Sequence, residues 1–140
     1  MEISVNLAAV VVAALLAFIL GWTWYSPLLF GNIWMKGMGM KKPEKMTKDV
    51  KSLMCRSSTI TVIFALVKAY TLANILLYMN VVGLSSVLAL SGWLWLGFIV
   101  PVQMSAHAWE GKSLTLVGIN ASYELASLIL IGVVVTAWPV

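Results

Sequence analysis

Two opposite charges, Lys68 and Glu124, stand in the middle of long apolar runs, where a hydrophobic sequence has no ordinary use for them. Either charge alone would cost roughly 2.5 to 3.5 kcal/mol at the centre of a membrane-spanning helix, so each calls for a partner or a wet surface. Helical spacing places Asn120 and Ser127 on the face of Glu124, with Tyr123 beside it. Lys68 shares its face with Thr61 and Thr71, and Tyr70 and Asn74 widen that stripe. Two such stripes facing each other would form a hydrophilic strip able to hold a small solute or pass protons. The same charges could equally be an ion pair that fixes helix packing, since breaking a buried pair costs far more than exchanging both members for apolar residues.

A second cluster, Gln103, His107 and Glu110, recurs at helical spacing further along. His107 and Glu110 could relay a proton or supply half of a metal site. One histidine and one carboxylate are too few ligands to argue for a metal. No nucleophile and base pair, Gly-rich phosphate loop or cofactor motif is visible, so the sequence gives no ground for an enzyme or for a bound cofactor.

The elements that must position these residues are membrane helices. Of 140 residues, 61% are hydrophobic and 10% charged, with a mean hydropathy of +0.97; soluble domains carry about 25% charged residues. The apolar residues gather in four blocks, Ile3 to Tyr25, Ser58 to Met79, Leu84 to Ala106 and Leu114 to Trp138. Each exceeds the roughly 20 residues needed to cross a bilayer. The expected fold is therefore all-α, a four-helix transmembrane bundle in one domain. The start of the chain lacks a basic region ahead of its apolar run, which reads as a retained helix and not as a cleaved signal. Cys55 is the single cysteine and supports no intrachain disulfide.

Seven of the nine cations lie between Lys36 and Arg56, Lys112 lies in the third connection, and the second connection and both tails hold none. That asymmetry places the first and third connections in the cytoplasm and both termini on the other side. It is a topology signal, and no nucleic-acid partner is expected. Trp22, Trp24, Tyr25, Trp34 and Trp109 then fall at the inner interface, with Tyr78 and Trp138 near the outer one. Within the first loop, Pro43-Glu44 offers a helix start, and Met46, Val50, Leu53 and Met54 follow at helical spacing, predicting a short amphipathic helix on the inner surface that could meet anionic lipid or a protein. The second and fourth helices both run outward from the cytoplasm, so Lys68 and Glu124 fall at one depth, about 15 Å in.

The run Trp24-Tyr25-Ser26-Pro27-Leu28-Leu29-Phe30-Gly31, followed by Trp34-Met35, resembles the signature of the membrane family called domain of unknown function 1761. Lys68-Ala69-Tyr70-Thr71-Leu72-Ala73 and the stretch holding His107, Glu110, Gly111, Asn120 and Tyr123 are similar to it too. The resemblance covers nearly the whole chain and implies a four-helix membrane protein, mostly bacterial, with no established activity to carry over. Read locally, Pro27 ends or bends the first helix at Ser26, and Gly31 permits the turn that follows.

Small residues recur every fourth position on helix one, at Ala9, Ala13, Ala17 and Gly21, and on helix four, at Gly118, Ser122 and Ala126. Such stripes let helices approach closely in lipid, either within one chain or between copies, so a homo-oligomer or a larger membrane complex is expected. Trp93 and Trp95 lie deep in helix three, where their indole donors need partners. Pro101 should bend that helix. The leading expectation is a non-enzymatic membrane protein that binds or conducts a small solute or protons along the strip. The competing one is an accessory subunit in which the charges only fix a scaffold.

Overall fold

The computed structural model describes residues 5–39 and 47–138, and among them it is helical throughout, with no strand. Helix α1 spans Leu7–Trp24, α2 Gly31–Gly37, α3 Lys48–Tyr78, α4 Leu84–Leu94 and α5 Val100–Glu110, with a π-helical turn over Trp95–Ile99 between the last two, and α6 spans Leu114–Ala137. α1, α3, the continuous α4–α5 run and α6 are each long and apolar enough to cross a bilayer. Side-chain oxygens start three of them: Asn6 accepts from the Ala9 amide, Thr47 from Val50 and Ser113 from Leu116, each satisfying a helix-end donor that has no partner within the helix. Gly111, at φ 70°, ends α5 in the left-handed conformation that a residue without Cβ adopts freely.

The most consequential departure from expectation is the length of α3. It begins at Lys48, ahead of the expected Ser58, and runs unbroken for 31 residues. At 1.5 Å per residue that is about 46 Å, well beyond the roughly 30 Å of hydrocarbon. No Gly or Pro separates Thr47 from Tyr78, so the change from polar to apolar residues near Ser58 marks a solvent boundary and not a helix end. Val50, Leu53 and Met54 therefore belong to a projecting first part of α3 and not to a separate surface helix. The proposed start of that helix at Pro43-Glu44 lies outside the described residues, as do Lys41, Lys42, Lys45 and Met46. The short helix that the first loop does contain, α2, comes directly after the Pro27 turn.

α6 occupies the middle of the arrangement. α1 packs on both α3 and α6, α3 reaches α6, and the third span lies along α6. Ala9 and Ala13 at 0% exposure and Ala17 at 1% show that the small-residue stripe of α1 is fully used inside this chain. It faces Ala65, Ala69 and Ala73 of α3 in the core. Contacts of this kind draw on dispersion at short range, because lipid tails are as apolar as the residues they replace. The matching stripe on α6 behaves differently: Gly118 has open space around it and Ser122 is exposed. α6 instead meets α4 through Gly132, where an added Cβ would stand 2.7 Å from the Val87 side chain.

Pro101 interrupts the third span, and the form of the interruption is a widened turn. The Val100 amide bonds to the Trp95 carbonyl, five residues back. That wider register accommodates a residue that cannot donate and whose ring crowds the carbonyl four positions earlier. Trp95 and Trp93 part company here. Two residues apart on a helix means about 200° apart around it, so Trp95 points inward and Trp93 outward, 72% exposed.

Candidate functional site

At the contact between α3 and α6 the two charges meet. Lys68 Nζ lies 2.9 Å from Glu124 Oε2 and donates also to Ser127 Oγ at 3.1 Å. Ser127 is wholly buried, while the Lys68 and Glu124 side chains keep 27% and 29% of their surface exposed. The ammonium additionally lies 5.5 Å from the centre of the Tyr123 ring, within the range where a ring face attracts a cation. A lysine with three donors, a carboxylate, a hydroxyl and a ring face thus converge at one point.

Tyr123 joins this point to the aromatic motif at the end of α1. Its hydroxyl donates to the Ala17 carbonyl at 3.0 Å, and its ring stands edge-on to Tyr25 at 5.6 Å. Tyr25 donates to Asn120 Oδ1 at 2.7 Å, and Trp24 donates its indole N–H to the Ile119 carbonyl at 3.1 Å. Phe30 from the turn packs at a tilt against Trp24, and Trp34 from α2 meets Tyr25 edge-on. The turn itself is closed by amide bonds from Phe30 to the Trp24 carbonyl and from Leu29 and Gly31 to that of Ser26. A Cβ at Gly31 would run into the Tyr25 carbonyl oxygen and stand 2.6 Å from Ser26 C, so the motif needs glycine for close approach. From the sequence alone this motif reads as an elbow separate from the charges. In the structure it is the wall of the same site, and Trp24 and Tyr25 are the residues that reasoning missed.

One signal in the sequence could have found them. Gly21-Trp22-Thr23-Trp24 in the first span is matched by Gly92-Trp93-Leu94-Trp95 in the third. In both, the second Trp donates to a carbonyl of α6, Trp24 to Ile119 and Trp95 to Ala121 at 2.7 Å. In both, the first Trp faces outward, Trp22 at 60% and Trp93 at 72% exposure. Regular α-helix also stops at the second Trp in each span, at the Tyr25 cap in one and at the π turn in the other.

The remaining candidate residues lie elsewhere. Asn74 donates to the Tyr70 carbonyl within its own helix; six positions from Lys68 put it about 120° around α3, away from the pair. Thr61 Oγ1 bonds to the Ser57 carbonyl, and Thr71 is exposed. Gln103 and Glu110 border a shallow hollow of about 420 Å³ on the third span. His107 Nδ1 lies 2.6 Å from the Lys112 carbonyl oxygen, and Glu110 pairs at 3.4 Å with Lys112. This second cluster therefore closes the end of α5, apart from the Lys68–Glu124 contact. A larger cleft, about 540 Å³, opens between the end of α1 and the projecting part of α3 and has Tyr123 in its lining.

Neither the curated proteins nor the solved structures contain a match to this chain. Residues 8–136 match the family described as "Protein of unknown function (DUF1761)". With its four apolar spans and its aromatic turn built around Tyr123, the chain belongs to the DUF1761 family.

Proposed function

We propose that the protein binds a small solute or protons at the Lys68–Glu124 strip within the membrane. One observation carries this reading: a charged pair in mid-span is left partly open, at 27% and 29% exposure, instead of being sealed in the bundle. A pair that exchanges protons or cargo must be reached, and the bundle does not enclose this one. Beyond the pair, Leu72, Leu76, Leu128 and Ile131 close the core, so access in this conformation is from one side. Tyr123, Tyr25 and Asn120 extend the polar surface toward the end that carries the basic loop. That end faces the cytoplasm of a bacterial cell in this reading, with both termini outside.

In liposomes the wild-type protein should give a pH-dependent or solute-dependent flux that Glu124→Gln removes. Lys68→Met/Glu124→Leu, which leaves no unpaired charge, should be equally inactive while remaining folded. A carbodiimide should label Glu124, and the transported species should slow that labelling. Unchanged flux in a folded Glu124→Gln protein across a broad solute panel, with Glu124 unlabelled, rejects this reading. The alternative is an accessory or structural subunit of a larger membrane complex, for which the third span offers a surface, exposing Trp93, Phe98 and Val102 at 72%, 72% and 66%. Co-purification of a stoichiometric partner in mild detergent supports it.

Topology is tested separately. In a Cys55→Ser background, Lys48→Cys should react with an impermeant thiol reagent only from the cytoplasmic side, and Val140→Cys only from outside. External labelling at position 48 inverts the assignment.

A further inference from the structure

We infer that the cleft between the end of α1 and the projecting part of α3 is a binding site for one anionic phospholipid of the basic-side leaflet. Its walls are of two kinds. Phe18 and Trp22 of α1 make an apolar side, and α3 lines the other with Met54 and the hydroxyls of Ser57, Ser58 and Thr61. A second hollow of about 440 Å³ shares Trp22, Met54 and Ser58 with the first and adds Lys51. The two form one groove with a cation at its mouth, and among the described residues no carboxylate lines either part.

Chemistry and depth choose the occupant. Thr61 and Thr59 direct their hydroxyl hydrogens to helix carbonyls, while the side-chain hydroxyls of Ser57 and Ser58 bond to no other described residue. Lys51 forms no ion pair among the described residues. Free O–H and N–H donors with no carboxylate in the described lining suit phosphate oxygens. From Lys51 to Lys68 the helix rises about 25 Å. With Lys68 near the midplane and a half-thickness of about 15 Å, Lys51 stands roughly 10 Å outside the hydrocarbon, at headgroup level. Phe18 and Trp22, within α1, lie where an acyl chain begins. A soluble phosphate would use the donors and leave the aromatic wall bare; a lipid uses both.

The site needs no change at the Lys68–Glu124 pair, so it stands or falls independently of the transport reading. The test is tryptophan quenching in phosphatidylcholine nanodiscs containing either brominated-chain phosphatidylglycerol or brominated-chain phosphatidylcholine, with the Trp22 signal isolated as the difference from Trp22→Phe. Trp22 should be quenched about fivefold more effectively by the anionic lipid, the effect of about one lysine at an anionic surface. That preference should disappear in Lys51→Gln/Ser58→Leu, whose circular dichroism and thermal unfolding should match the wild type. Glu124→Gln should retain it. Equal quenching by the two lipids would show ordinary boundary lipid and overturn the site, and protection by millimolar glycerol phosphate would assign the groove to a soluble anion instead.

Discussion

Glu124→Gln should destabilise the detergent-solubilised protein by about 2 kcal/mol, and Lys68→Met by a similar amount, while Lys68→Met/Glu124→Leu should lose distinctly less than the sum. The reason is asymmetric desolvation. Glu124→Gln leaves Lys68 Nζ, now 2.9 Å from Glu124 Oε2, as a charge without its counter-ion beside the wholly buried Ser127, and Lys68→Met leaves the carboxylate in the same position. Breaking a sealed pair costs about 3 to 5 kcal/mol, and the partial exposure of both side chains reduces that figure here. The double replacement removes the charge and fills the volume, so only the bond to Ser127 and the contact over Tyr123 are lost. Thermal unfolding of the wild type, Lys68→Met, Glu124→Leu and Lys68→Met/Glu124→Leu completes a double-mutant cycle. Strictly additive losses would mean that the two groups do not interact.

Gly31→Ala should be at least as damaging although it adds only one methyl group, at a turn outside the spans. The added carbon would collide with backbone, at Tyr25 and Ser26, and backbone has no rotamer with which to move aside. Overpacking costs about 1 to 3 kcal/mol, and this case belongs at the upper end because the turn also holds Trp24 and Tyr25 against α6. Gly118→Ala is the matched control: that position has open space, and removing a helical glycine should change stability by less than ~1 kcal/mol, in the favourable direction. Thermal unfolding read through tryptophan emission distinguishes them. If Gly31→Ala is as stable as Gly118→Ala, the turn does not govern the site.

These expectations show which parts of the molecule could be read from residue types and which could not. Span number and the meeting of Lys68 with Glu124 follow from solvent physics: apolar runs of sufficient length, and two charges that each need a partner at one depth. The start of α3 at Lys48 was not legible, because hydropathy reports where a helix enters lipid and is silent on where it begins. Pro101 announced a disturbance, but whether it produces a bend or a π turn depends on the carbonyl it must avoid. The role of Tyr25 was hidden for a different reason. Its partner Asn120 is distant in sequence, and periodicity along one helix carries no information on which neighbour that helix will face. The pairing of Gly21-Trp22-Thr23-Trp24 with Gly92-Trp93-Leu94-Trp95 was the available clue.

Every side-chain hydrogen bond between different spans, among the described residues, has α6 on one side: Trp24, Tyr25, Lys68 and Trp95 donate to it, and Tyr123 donates from it. A ribosome makes that helix after the other three. Until it arrives, the alanine faces of α1 and α3 can already meet, but Lys68 has no counter-ion in the bilayer and two indoles have no acceptor. The newborn chain is therefore most vulnerable late in its synthesis, when three spans are inserted and the fourth is still in the ribosome or the insertion channel. Sequence changes in α6 would then act first on how much protein survives membrane quality control, and only afterwards on what the surviving molecules do.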